Sequence, residues 1–260
     1  MPMIDAGGFE INVKIEGPEN APVLMLSNSI AADLSMWDPQ APEFAKRFRL
    51  IRYDRRGHGA SGVPKAPYSM EAMGRDVLAV LDKLGIKSIN WCGLSMGGMV
   101  GQWLGANAPE RIDKLILCNT HYYYADKAPW NDRIKAAREK GMAALAPAFM
   151  ERWFTKDFRE GHPEAIARMA AVFAATPLEG FVGCCDAGRD MDHRDLLGRI
   201  KAPTLVIAGR QDFATPLQAN EEICAKIPGA TIAVLDTAHI SNLGQPQAFT
   251  KAVLDFLGAG

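Results

Sequence analysis

The chain has 260 residues, 48% of them hydrophobic and 23% charged, which is ordinary globular usage and excludes disorder, collagen and coiled coil. Lys plus Arg number 29 against 30 for Asp plus Glu, so a net charge of −1 leaves no surplus for a polyanion, and no nucleic-acid partner is expected. No run approaches the roughly 18 apolar residues of a membrane span, and Met1-Pro2-Met3-Ile4-Asp5 lacks a basic region followed by an apolar one, so no membrane partner and a cytoplasmic location are expected.

The first predicted element is an antiparallel hairpin over Met3 to Glu16, where Phe9, Ile11, Val13 and Ile15 alternate after the turn residues Gly7-Gly8. Apolar runs without alternation follow at Val23 to Leu26, Leu50 to Tyr53, Ile89 to Cys92, Leu115 to Cys118, Thr204 to Ala208 and Thr231 to Leu235, as strands buried on both faces of a parallel sheet require. Helical patterns lie between them; Met73, Val77, Leu81 and Leu84 share one face, with Ser69 placed to cap it. The alternation predicts an α/β fold with a mostly parallel central sheet flanked by helices.

Ile89-Asn90-Trp91-Cys92-Gly93-Leu94-Ser95-Met96-Gly97-Gly98 reads as a buried strand, then Gly-x-Ser-x-Gly, then a helix rich in small residues. In that context the motif is a nucleophile elbow: a strained strand-to-helix turn exposes the Ser95 hydroxyl, glycines permit close packing, and the Met96 amide faces outward at a helix N-terminus as an oxyanion donor. A second donor belongs in the loop Ser27-Asn28-Ser29-Ile30, where Ile30 is the choice by position.

The rhythm breaks after Asn119 and returns at Thr204. Roughly His121 to Arg199 is helical in composition, with Pro129, Pro147, Pro163 and Pro177 near expected helix starts. We therefore expect a core of residues 1–120 and 200–260 and, inserted after the sixth strand, a helical lid of residues 121–199 over the sheet edge where open α/β sheets bind ligands.

A serine hydroxyl is nearly inert at neutral pH and needs a base and an orienting acid. His239 alone among the histidines after Ser95 lies at the C-terminal end of a core strand, and Asp212 sits just past the strand Thr204 to Ala208. Asp236 is a weaker rival for the acid, being too close to His239 in sequence to reach its far ring nitrogen. His58, glycine-flanked and upstream of the elbow, is expected to order a loop. Cys92, Cys118, Cys184, Cys185 and Cys224 form no Cys-x-x-Cys pair and are expected as packing thiols, and the five histidines show no metal-ligand spacing, so no cofactor or metal is expected.

With these residues in view, the chain resembles the α/β-hydrolases over its whole length, and more closely the 3-oxoadipate enol-lactonases. The resemblance rests on Leu26-Ser27-Asn28-Ser29-Ile30, Met36-Trp37-Asp38-Pro39-Gln40, Arg52-Tyr53-Asp54 with Arg56-Gly57-His58-Gly59, and Cys92 to Gly101. It continues through Leu117-Cys118-Asn119-Thr120, Arg152-Trp153-Phe154-Thr155, Gly183-Cys184-Cys185, Arg189-Asp190-Met191-Asp192, Ala202 to Gly209 and Ala238-His239-Ile240-Ser241-Asn242. Arg55, where a small residue is expected, Phe213 in place of Pro and Gly244 in place of Glu depart from it. The resemblance implies opening of an enol-lactone to 3-oxoadipate in aromatic-compound breakdown. A carboxylesterase for a related ester, or a ligand receptor on the same fold, are the competing expectations. The implied substrate is a small anionic lactone, so the lid should supply a cation. Trp130 to Arg159 holds seven basic and four acidic residues, and Trp130 with Arg133, three apart, form the edge expected to clamp a small acid.

Overall fold

The computed structural model describes residues 2–258. Its first two strands, β1 (Met3–Asp5) and β2 (Glu10–Glu16), pair antiparallel with Ile4 opposite Ile11. Gly7 and Gly8 reverse the chain at φ of 92° and 109°, values that a side chain disfavours, while the Asp5 carboxylate accepts from both their amides. The sheet continues through β3 (Val23–Ser27), β4 (Arg49–Tyr53), β5 (Ile89–Leu94), β6 (Ile112–Cys118), β7 (Thr204–Gly209) and β8 (Thr231–Leu235). The order is β1-β2-β4-β3-β5-β6-β7-β8, with every pairing from β4 across to β8 parallel.

Every residue of β5 and of β7 is buried, as the unbroken apolar runs required. The run in β8 departs from that reading. It is the edge strand, with one neighbour, and Ile232 is 37% exposed.

The helices are α1 (Ala41–Phe44), α2 (Met70–Lys83), α3 (Met96–Asn107), α4 (Ala128–Lys140), α5 (Met142–Trp153), α6 (Lys156–Gly161), α7 (Pro163–Ala175), α8 (Leu178–Asp190), α9 (Leu217–Lys226), α10 (Ser241–Gly244) and α11 (Pro246–Leu257). At the start of α2 the Ser69 hydroxyl accepts from the Ala72 amide at 3.0 Å, and Met73, Val77 and Leu81 face inward. On the same helix Gly74 seats the Trp103 ring of α3, where a Cβ would lie 2.1 Å from it.

Helices α4 to α8 fill the stretch between β6 and β7. Pro129 and Pro163 occupy first turns and Pro177 caps α8, but Pro147 lies inside α5, not at a helix start. An interior proline removes a helical hydrogen bond and costs about 3 kcal/mol. The apolar face of α5, with Leu145, Ala146, Phe149, Met150 and Trp153 buried, carries the helix through it. Phe149, Trp153, Phe173 and Phe181 from α5, α7 and α8 form one aromatic cluster, with the Phe149 and Phe173 centroids 4.5 Å apart.

Polar ties join this helical layer to the sheet. Gln102 of α3 donates to the His121 carbonyl at 3.1 Å and meets the His193 ring at 3.0 Å, while the Ile240 amide donates to the Trp153 carbonyl at 3.1 Å. Gly57 and Gly180 touch backbone to backbone: a Cβ on Gly180 would lie 2.0 Å from the Gly57 carbonyl oxygen. The cysteines are unbridged, four of them buried and Cys224 partly so. Among the described residues no single helix is long and apolar enough to cross a membrane.

Candidate active site

Ser95 stands between β5 and α3 at φ 57° and ψ −113°, a backbone conformation that costs a non-glycine residue of order 1–3 kcal/mol. The surroundings over-determine it. The Ser95 amide donates to the Cys118 carbonyl at 2.8 Å, the Thr120 hydroxyl donates to the Ser95 carbonyl at 2.7 Å, and the Gly97 amide donates to the Asn28 carbonyl at 3.1 Å. The elbow glycines are steric necessities: a Cβ on Gly93 would lie 2.1 Å from the Gly97 carbonyl oxygen, and one on Gly97 would lie 2.2 Å from that of Ser27. The strand-turn-helix thus holds the serine out at the C-terminal edge of the sheet.

Asp212, past the end of β7, receives a full set of donors. One carboxylate oxygen accepts from the His239 Nδ1 at 2.9 Å, the Thr215 hydroxyl at 2.7 Å and the Asn119 amide side chain at 3.0 Å. The other accepts the backbone amides of Ala214 at 2.8 Å and Thr215 at 2.9 Å. Burial opposes ionisation, but the His239 ring and these donors outweigh it and hold the Asp212 carboxyl below its ordinary range. Asp236, the rival in sequence, is exposed and accepts from Gln211 instead.

His239, 2% exposed, spends Nδ1 on Asp212 and lines the same cavity as Ser95. No direct hydrogen bond joins Ser95 to His239, although both line the one cavity.

The loop after β3 forms the facing wall, and Ile30 and Met96 both line the cavity. Among the described residues no hydrogen bond engages either of their backbone amides. Asn28 anchors this loop: its side chain donates to the Tyr53 carbonyl at 3.1 Å and accepts from the Trp37 indole at 2.9 Å. His58 fixes the far side, accepting the Ala31 amide on Nε2 at 2.9 Å, with Nδ1 3.2 Å from the Arg56 carbonyl. Burial above all, and the adjacent Arg55 charge, push its pKa down to about 3, so the ring is the neutral acceptor that this bond needs. The loop-ordering role expected of His58 is what its contacts describe.

The cavity has a volume of about 220 Å³, and the insert closes it. Trp130 and Arg133 both line it, the guanidinium lying 4.4 Å from the Trp130 ring centroid and 5.1 Å from that of Phe149. Burial lowers the Arg133 pKa from its usual height, against the pull of Cys185 and Tyr124. Stacked between two rings and, among the described residues, with no carboxylate bound to it, Arg133 offers its fork to an anion entering the cavity.

Sequence reasoning missed several residues here. Arg152 supplies a second cation to the cavity lining, and Tyr124 an aromatic ring set edge-on to Trp130 at 5.2 Å. Arg152 is one of the seven basic residues counted from Trp130 to Arg159 and part of a resembling segment, but nothing in the sequence singles it out as a site residue. The Asn119 contact to Asp212 left no local signal, because it depends on how the ends of β6 and β7 sit side by side, whereas Thr215, three residues after Asp212, was within reach of a local reading.

A family model described as the alpha/beta hydrolase fold matches residues 22–246. The chain is 41% identical to 3-oxoadipate enol-lactonase 2 of Acinetobacter baylyi over 96% of its own length and 94% of the relative's. The crystal structure of the enol-lactonase from Burkholderia xenovorans LB400 superposes with a TM-score of 0.97 at 43% identity, covering 99% of this chain and 100% of that one. A thermophilic esterase from Thermogutta terrifontis, in a malate-bound structure, gives a TM-score of 0.89 at 29% identity, covering 96% and 93%. The chain belongs to the α/β-hydrolase family and is similar within it to the enol-lactonases.

Proposed function

We propose that this protein is a serine hydrolase that opens 3-oxoadipate enol-lactone to 3-oxoadipate, a step of the β-ketoadipate route of aromatic-compound breakdown. The observation that carries the reading is one small cavity lined by Ser95, His239 and the stacked Arg133, in a chain so similar to named enol-lactonases. A lactone that carries a carboxylate needs both the serine and the cation. Its anion pairs with Arg133 against the Trp130 face, which brings the ring carbonyl to Ser95.

His239, held in one tautomer by Asp212, takes the Ser95 proton as the oxygen attacks the carbonyl. The Ile30 and Met96 amides receive the tetrahedral oxyanion; one donor of this kind is typically worth about 3 kcal/mol. Collapse of the intermediate breaks the ring C–O bond, and the imidazolium returns the proton to the departing enol oxygen. The enol stays tethered to the acyl group and tautomerises to a ketone, which disfavours reclosure. Water activated by His239 then cleaves the acyl-enzyme, giving the diacid and free serine.

The test is an ultraviolet assay of freshly generated enol-lactone, corrected for spontaneous hydrolysis, with the native protein and Ser95→Ala. Fast loss of the lactone abolished by the substitution is expected. Ser95-dependent cleavage of neutral aryl esters without lactone turnover would keep the hydrolase and discard the substrate, and inertness toward both would discard the enzyme.

A further inference from the structure

Arginines cluster behind the oxyanion loop, and one differs from its neighbours. Arg52 is buried but paired with Glu16 and Asp38, each at 2.6 Å, and Arg56 is paired with Asp76 at 2.5 Å. Arg55 is equally buried, at 2% exposure, yet no salt bridge reaches it among the described residues, and its Nε and Nη1 have no hydrogen-bond partner. A buried cation without a counter-ion is unfavourable, and burial of this kind persists where something else offsets it. Its one hydrogen bond is through Nη2 to the carbonyl oxygen of Asn28, two residues before Ile30. The same carbonyl accepts the Gly97 amide, one residue past Met96. Arg55 therefore bonds to the single oxygen that joins the two segments carrying the cavity-lining amides.

We propose that Arg55 is a positioning residue that braces the oxyanion loop through Asn28 and holds an uncompensated positive charge behind it, so that the anionic tetrahedral intermediate is its counter-ion. The inference rests on the hydrolase reading above and on the Ile30 and Met96 amides as oxyanion donors. The ground-state ester carries no negative charge at the carbonyl, whereas the tetrahedral species does. An interaction with that charge appears in kcat and leaves KM nearly unchanged. The neutral His58 ring on the other side of the loop adds no second charge and keeps the Ala31 amide in place.

The experiment compares the wild-type chain with Arg55→Gln, which keeps a donor for Asn28 without the charge, and Arg55→Lys, which keeps the charge. The readouts are kcat and KM on the enol-lactone and on p-nitrophenyl acetate, urea stability, and inhibition by 2-carboxyethylboronic acid, which forms an anionic tetrahedral adduct with an active-site serine. For Arg55→Gln we expect kcat to fall about tenfold with KM within about twofold, and the boronate to weaken by a similar factor. Arg55→Lys should stay within about threefold of wild type in kcat. If Arg55→Gln does not accumulate as folded protein, Arg55→Met, which loses both the charge and the Asn28 bond, is read against Arg55→Lys, which keeps both, and equal kcat in the two would overturn the proposal. Unchanged kcat and boronate affinity in the neutral variant would overturn the proposal, as would a loss that only tracks the folded fraction. In either case an active wild type leaves the hydrolase reading standing. A wild type inert toward both substrates would remove that reading and this inference together.

Discussion

The two walls of the cavity are held by different physics. On the sheet side, directed hydrogen bonds and backbone contacts with no room for a Cβ fix Ser95, Asp212, His239 and the Asn28 loop. On the insert side, the wall is Phe149, Trp153 and Trp130 with a cation stacked on rings, continuous with the aromatic cluster behind it. Hydrogen bonds weaken steeply as donor and acceptor turn out of line, while the many small contacts of ring packing depend on how closely surfaces fill space, not on one direction. The sheet edge therefore holds Ser95, Asp212 and His239 in place, and the insert shapes and charges the cavity beside them.

The largest effect should come on the sheet side, where Ser95→Ala is expected to lower kcat by about 10⁴-fold or more with little change in folding. Single-turnover and denaturation measurements on the same preparation check both halves. Gly97→Ala tests the same wall without touching a reacting group. Its Cβ would lie 2.2 Å from the Ser27 carbonyl oxygen, so we expect about 4 kcal/mol or more of lost stability in urea unfolding, or no folded protein. A Gly97→Ala variant within 1 kcal/mol of wild type would mean that the elbow is far more yielding than its contacts indicate.

The insert should respond in a graded way. Phe173, fully buried at the centre of the aromatic cluster, should cost about 3–5 kcal/mol as Phe173→Ala and appreciably less as Phe173→Leu, with kcat of the folded protein nearly unchanged. Equal losses for both substitutions would give the insert the rigidity assigned here to the sheet. Arg133→Met should raise KM for the anionic lactone by about 10- to 100-fold while leaving turnover of a neutral aryl ester intact, the loss expected for a charge-assisted contact. Arg138→Met is the control, since Arg138 pairs with Glu179 on the surface away from the cavity.

This difference also explains what could be read from the sequence. Strands buried on both faces leave long apolar runs, and the elbow is a local pattern, so β3 to β7 and Ser95 could be placed from residues alone. Asp212 and His239 were accessible because the ends of parallel strands share one edge. Asn119 carries no local signal of its role, although the left-handed conformation at φ 45° directs its side chain to Asp212, 93 residues away in sequence. Pro147 misled because the packing of α5, not its intrinsic propensity, decides that helix. Gly244 stands where a larger residue was expected, and a Cβ there would lie 2.1 Å from the Thr237 hydroxyl, in the turn before His239. Nothing in the structure explains Phe213, which is 80% exposed.

The smallest predicted effect concerns histidines at the sheet edge and at its junction with the insert. Burial, joined at His58 by the Arg55 charge, lowers the pKa of His58 to about 3 and of His193 to about 4, both from an ordinary value of 6.5. The unfolded chain then binds protons near pH 6.5 that the folded chain refuses, so stability should fall as pH drops below that value. Each ring contributes about 1.4 kcal/mol between pH 7.5 and 5.5. Asp212, held below its usual range, adds stability that is lost only under more acidic conditions, while Asp54 and Asp76, raised mainly by burial, act in the opposite sense there. His121, also lowered by burial against the pull of Glu222, acts in the same sense as the other two histidines. Urea unfolding at the two pH values should therefore show the histidine loss, and His193→Gln, with an amide in place to meet Gln102, should remove part of it, at most about half. If the loss persists in full in that variant, His193 is not the neutral ring its burial indicates, and the acid sensitivity lies with His58 and His121.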